Sequence, residues 1–295
     1  MKIATYWHAG TRHVGRLSAD GSAVIPLMLG EQARDIGALA LIEDMALGLP
    51  LPAEAGPRVP LATVKLDAPL PRPRRNIFCV GKNYHEHARE FAQSGFDTSI
   101  AKPGDDIPSH PIIFSKVPEA VTAPGSAIRI PAGISEAIDY EAELAVVVGR
   151  GGRGIPKAQA MEHVWGYTII NDVTARDWQQ RHKQWLLGKS FDTFCPMGPW
   201  LASADELNGA DTRVRCWVND ELRQDARTTD LIFDIPTLIE TISTGITLYP
   251  GDLIATGTPV GVGIGFKPPK YLQSGDRVRI EIEGIGVLEN PVERS

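Results

Sequence analysis

Cysteine is scarce in this chain: Cys79, Cys195 and Cys216 are the three among 295 residues, with no C-x-x-C spacing. An odd, scattered set excludes a disulfide scaffold and a cysteine-rich zinc module, and it suits a reducing cytoplasm, the expected location. A long apolar run is missing too. Residues 37–52 come nearest, but Glu43 and Asp44 interrupt them, so no membrane span is expected. The opening MKIATYWHAG lacks the apolar segment and cleavage site of a signal peptide. There is no basic excess: Lys plus Arg is 30 against 36 for Asp plus Glu, a net charge of −6, which argues against a nucleic-acid partner. No repeat at a fixed period and no low-complexity tract occur. G-x-S-x-G and H-E-x-x-H are absent, which removes a nucleophile-elbow hydrolase and a zinc protease. Gly188, Lys189 and Ser190 could end a phosphate-binding loop, but position 183 is Lys where that loop needs Gly.

Glycine and proline, by contrast, are plentiful at 29 and 23 residues, and they predict many turns and few long helices. The N-terminal stretches KIATYW, HVGRL and SAVIPL read as three short strands, and 31–47 has helical spacing of apolar positions. Residues 50–75 are rich in proline and read as a connector with one short strand, ATVKL. A boundary near 70 divides the chain into a small N-terminal α/β domain, 1–70, and a catalytic domain, 71–295. Beyond it strands dominate: NIFCV, PIIFS, AIRIP, YEAELAVVV, WGYTIIND, RVRCWVN and RVRIEIEG. Helical candidates are 84–93, 156–163, 174–184 and 236–244. The reading is therefore an α+β, β-dominated fold.

Five segments carry chemistry. Glu141 and Glu143 lie two apart in a predicted strand, so they share a face. They are either a solvated strand face or, given the apolar LAVVV that follows, ligands for a hard cation. Asp172 ends the next strand and is either a third oxygen ligand or, like Thr174, a helix cap. Three carboxylates without cysteine match Mg²⁺ or Mn²⁺ better than Zn²⁺. His87 and Glu90 are i and i+3 on a short helix; they are either a charged surface face or an imidazole oriented by a carboxylate to act as a general base. His85 and His87 are two apart and should face different ways. Lys189 sits among Gly, Ser and Phe in a predicted loop, where a partly buried ammonium could stabilise an enolate. Thr258, within GTPVGVG, belongs to a backbone able to approach an anion.

Taken in order, VGKNYHEHARE, DYEAELAVVVG, GYTIINDVTARDWQ, LGKSFDTFCPMGPW, GDLIATGTPVGVG and GDRVRIEIEGIG resemble the fumarylacetoacetate hydrolase family over about residues 76–292. The resemblance implies a catalytic domain of mixed sheets, commonly a homodimer, with Mg²⁺ or Mn²⁺ in its site. It places metal ligands at Glu141, Glu143 and Asp172, the family lysine at Lys189, substrate-binding groups at Arg176, Gln179 and Thr258, and the His–Glu pair of a mobile lid at His87 and Glu90. The further acidic ligand of the animal fumarylacetoacetate enzyme has no counterpart in FCVGKNY, so water is expected to complete the coordination. The activity this implies is hydrolysis of a carbon–carbon bond in a β-diketo acid, such as an acylpyruvate or a diketo-deoxy sugar acid. The alternatives are decarboxylation or tautomerisation of a 2-oxo diacid, or metabolite binding without catalysis. Residues 91–110, polar and aperiodic, are expected to form a functional loop, with 82–108 closing over a bound 2-oxo acid.

Overall fold

The strand Ala142–Val148 is buried along its whole length, as its unbroken apolar run implies for a strand covered on both faces. It pairs antiparallel with Val164–Asn171 on one side and with Leu253–Ala255 on the other. Val164–Asn171 pairs in turn with Cys195–Ser203. These strands form the middle of a 12-stranded mixed sheet. At one end, Leu253–Ala255 runs parallel to Ile77–Gly81, which pairs with the edge strand Ile112–Lys116. At the other, Lys2–His8 joins Cys195–Ser203 to Thr11–Leu17, Ala23–Pro26 and Val59–Pro60. Strands of the first 70 residues thus continue the sheet that carries the central ones. The computed structural model describes residues 1–95 and 106–295.

A second sheet of five strands is ordered Glu221–Arg227, Arg213–Val218, Arg277–Ile282, Gly286–Arg294 and Ile128–Ile130. Side chains alternate across a strand, so Ala142–Val148 serves two cores. Leu144, Val146 and Val148 pack with Val214, Cys216, Ile280 and Ile282 of the five-stranded sheet. Ala145 and Val147 point the other way, into a core with Leu39, Leu41 and Ile42. Burial of both faces excludes water from this strand, which matters for the carboxylates at its start.

Several local expectations change. The helical pattern at 31–47 is two helices, Ala33–Ile36 and Leu39–Ala46, because the chain turns at Gly37 with φ 61°. Residues 157–163 form a 3₁₀-helix. The helix expected at 174–184 is Arg176–His182, since Thr174–Ala175 pairs instead with Ile138–Asp139. Lys189 is not in a loop but ends the short helix Leu186–Lys189. Helices at His85–Gln93 and Ile235–Ser243 match their patterns, the latter capped by Asp234, which accepts from Thr237 N at 2.9 Å. Among the described residues no helix is long and apolar enough to cross a membrane.

Candidate active site

Glu141, Glu143 and Asp172 converge where the two central strands meet. Ala142 faces Asn171 in the ladder, which sets residue 141 against residue 172: Asp172 N donates to the Glu141 carbonyl at 2.8 Å. Asn171 Oδ1 accepts from Glu141 N at 3.0 Å. One carboxylate oxygen from each of the three residues lies within 4.8 Å of the others, and all three residues are buried. The solvated-face alternative for Glu141 and Glu143 therefore falls away. So does the capping role for Asp172, because the N-cap of the next helix is Ala175, with no side-chain cap.

Three buried anions require compensation. Lys189 Nζ donates to Glu141 Oε2 at 2.7 Å and to Asp172 Oδ2 at 2.8 Å. Arg176 Nη2 stands 2.7 Å from Glu141 Oε1, an ion pair without hydrogen-bond alignment, while its Nε donates to Asp139 Oδ2 at 2.9 Å. Asp139 is itself held by Gly263 N and Ile264 N at 2.7 and 3.0 Å. Glu143 accepts from Gly257 N at 2.8 Å, and no ion pair of Glu143 is seen among the described residues. Their acidities diverge accordingly. Burial raises the Glu141 carboxyl, but Lys189 and then Arg176 outweigh it and hold it below the usual carboxylate range. Burial, followed by repulsion from Asp172 and Glu141, pushes Glu143 well above that range.

Residues this crowded with anionic oxygen, lacking imidazole or thiolate donors, fit a hard divalent cation. The repulsion that raises Glu143 is what such an ion would relieve.

The helix His85–Gln93 brings the imidazole to this cluster. His87 is 4% exposed and its Nδ1 lies 3.1 Å from Glu90 Oε2; His85, two positions earlier, is exposed. Glu90 also accepts from Gly261 N, at 3.0 Å to Oε1, which ties the helix to the glycine-rich loop. A charged surface face is thereby excluded, and the dyad is built. His87, Glu141, Glu143, Arg176, Gln179, Lys189 and Thr258 line one cavity of about 10 Å³, with Asp172 and Glu90 bonded to its lining groups. Of the stretch expected to close as a lid, Lys82, His87 and Phe91 line this cavity, and 96–105 lies outside the described residues.

Sequence reading missed three supporting residues. Lys116, at the end of the edge strand, is fully buried; its Nζ donates to Asp172 Oδ1 at 2.7 Å, to Val173 O at 3.0 Å and to Lys189 O. Gln224 Nε2 donates to Thr258 Oγ1 and to Pro259 O, both at 2.7 Å, while its Oε1 accepts from Ala142 N. Asp139 is the third. Lys116 and Gln224 sit in strands whose patterns look half-exposed. Asp139 stands only two residues before Glu141, and that proximity was the available signal.

Comparison with known proteins gives the family that the chain matches. The family description "Fumarylacetoacetate (FAA) hydrolase C-terminal" matches residues 76–293. The chain is 50% identical over 233 residues to the oxaloacetate tautomerase YisK of Bacillus subtilis (strain 168), covering 79% of this chain and 74% of that protein. Among solved structures, a fumarylacetoacetate hydrolase from Exiguobacterium antarcticum superposes with a TM-score of 0.83 at 39% identity, covering 100% of both chains. A maleylpyruvate hydrolase from Sphingobium sp. SYK-6, solved in complex with manganese(II) and pyruvate, gives a TM-score of 0.77 at 31% identity, again over 100% of both chains.

Proposed function

The chain belongs to the fumarylacetoacetate hydrolase family, and on that premise we propose that it interconverts the keto and enol forms of a short 2-oxo diacid of the oxaloacetate type. The observation that carries this reading is the 50% identity to an oxaloacetate tautomerase. The buried His87–Glu90 pair beside Lys189 and the acidic cluster supports it, because enolisation needs a base at C3 and a cation to stabilise the enolate. This reading replaces carbon–carbon hydrolysis as the primary activity and takes up what the sequence offered as an alternative.

Mg²⁺ or Mn²⁺ held by Glu141, Glu143 and Asp172 would supply Lewis-acid polarisation of the 2-oxo group. The remaining chemistry belongs to side chains. With Nδ1–H donated to Glu90, the tautomer assigned from that carboxylate, His87 keeps a lone pair on Nε2. That nitrogen removes a proton from C3. The C2–C3 double bond forms as the carbonyl pair moves to oxygen, and that oxygen takes the proton back from the His87 imidazolium to give the enol and restore the base. The reverse order gives the ketone. Lys189 spends two of its three N–H donors on Glu141 and Asp172 and offers the third to the developing oxyanion. Arg176, Gln179 and Thr258 hold the carboxylate end.

The test is to follow loss of enol absorbance on mixing oxaloacetate with the Mg²⁺-loaded enzyme, and to identify products by mass. Enol loss faster than the buffer rate, with oxaloacetate conserved, supports tautomerisation. Release of pyruvate and CO₂ would instead indicate decarboxylation. A second reading, hydrolysis of a β-diketo acid, is favoured by the 31% identity to a maleylpyruvate hydrolase and by a dyad able to deprotonate water. Cleavage of acylpyruvates, with no enzyme effect on oxaloacetate, would establish that reading and reject ours.

A further inference from the structure

One wall of the cavity is aromatic and takes no part in the chemistry above. Phe91, Phe114 and Trp185 form it. Phe114 packs edge-on against Trp185 with centroids 5.1 Å apart, and Phe91 does so at 6.2 Å. Two of these rings are anchored by regular structure. Phe91 is buried on the helix that carries His87. Phe114 lies mid-strand, in register with Cys79.

Trp185 is placed differently. It is half-buried on the short link between the helices Arg176–His182 and Leu186–Lys189, with Gln184, Leu186 and Leu187 exposed around it. Its ring reaches the cavity over Gly81: a Cβ built there would lie 2.4 Å from Cζ3 and 2.9 Å from Cη2. Gly81 is not among the glycines with positive φ, so its missing side chain provides space for the indole and not a special backbone conformation. The seat for Trp185 is thus part of the design of the pocket.

With the indole in that seat the remaining space is about 10 Å³. Even a four-carbon acid needs more than the volume of one water, so a wall must yield on binding. The helix bearing Phe91 is tied to the glycine-rich loop through Glu90, and the strand bearing Phe114 is held by its ladder. The link carrying Trp185 has neither restraint; its carbonyl accepts from Lys189 N at 3.1 Å, a bond that holds the backbone and leaves the indole to turn about its side-chain bonds. We propose that Trp185 determines substrate size: it yields enough to admit a compact 2-oxo acid and excludes acids with a bulky group beyond C3. This rests on the reading of the site as a 2-oxo acid pocket and names the size class that it accepts.

The test uses binding, so that it does not depend on which reaction the enzyme runs. Oxalate probes the 2-oxo acid head alone, and phenylpyruvate adds a bulky group on C3. Both are titrated into Mg²⁺-loaded wild type, Trp185→Ala and Trp185→Phe. Wild type should bind oxalate and discriminate against phenylpyruvate. Trp185→Ala should keep oxalate affinity within about threefold and bind phenylpyruvate roughly tenfold or more tightly than wild type does, with Trp185→Phe between. Unchanged phenylpyruvate affinity in Trp185→Ala, with oxalate binding intact, overturns the proposal. So does a wild type that binds phenylpyruvate as well as oxalate. If Trp185→Ala does not fold, Trp185→Phe decides by the same ratio. The expected ratios without enol turnover of oxaloacetate would reject the tautomerase reading and leave the size role of Trp185 standing.

Discussion

Lys116 and Asp172 form a buried ion pair at 2.7 Å, both side chains fully inaccessible, and the other oxygen of Asp172 is taken by Lys189. One carboxylate is thus clamped between two ammonium groups, and the clamp extends to the chain, since Lys116 also donates to the carbonyls of Val173 and Lys189. Replacing Lys116 with Met leaves Asp172 to share Lys189 with Glu141 and strips those carbonyls of a donor. Breaking a buried pair by removing one partner costs about 3–5 kcal/mol. Urea unfolding of Lys116→Met should show a loss of that size. A change under about 1 kcal/mol would mean that the pair contributes little to holding the site together.

The cation site has its own signature in pH. Burial, then repulsion from Asp172 and Glu141, tighten the hold of the Glu143 carboxyl on its proton well beyond the ordinary range. A cation needs the carboxylate, so binding displaces that proton. Metal affinity should rise as pH climbs through the raised value and weaken as pH falls below it. Titration of Mg²⁺ or Mn²⁺ in two buffers of different ionisation enthalpy counts the protons released. Chelator should abolish activity and either ion restore it, and Glu143→Ala should lose most metal affinity. Full activity in excess chelator, or a metal affinity that does not change with pH, would remove the triad from this role.

His87 is placed to move the C3 proton. His87→Ala should cut tautomerisation by roughly 10²–10⁴, the range for a general base, while metal affinity is kept. Glu90→Gln should lower activity less, since the imidazole remains but its partner no longer carries charge. Stopped-flow decay of the enol measures both. Activity of His87→Ala within about threefold of wild type, in folded and metal-loaded protein, would assign the proton transfer elsewhere.

Much of this centre could be read without coordinates because its ligands obey strand geometry. Glu141 and Glu143 share a face by period two, and LAVVV announced burial. The supporting groups were hidden for physical reasons. Lys116 ends PIIFSK, where a terminal lysine normally reaches solvent; only the fold turns it inward beneath Asp172. Gln224 lies in ELRQDAR, a strand so charged that no apolar alternation marks it, yet its amide is fully buried against Thr258. Cys195–Ser203 contains Pro196 and Pro199, which argue locally against a strand, and it still pairs on both sides. Long-range pairing overrides local preference in each case.

Two glycines near Glu90 separate backbone strain from displacement of the dyad. Gly261 has φ 105°, donates its N–H to Glu90, and would place a Cβ 1.8 Å from the Arg223 carbonyl oxygen. Alanine there meets an unfavourable conformation and an unyielding backbone atom, so Gly261→Ala should lower both stability and activity. Gly265 has no positive φ, and a Cβ on it would meet Glu90 Oε1 at 2.0 Å, Cδ at 2.4 Å and Cγ at 2.6 Å, so the whole Glu90 side chain, and no backbone atom, must move aside. Gly265→Ala should therefore push Glu90 off His87 at little backbone cost. The expected result is a fall in kcat approaching that of Glu90→Gln, with a melting temperature much closer to wild type than that of Gly261→Ala. If Gly265→Ala keeps full kcat while Glu90→Gln loses it, Glu90 does not need its present position to serve His87, and the orienting role of the 3.1 Å contact would be wrong.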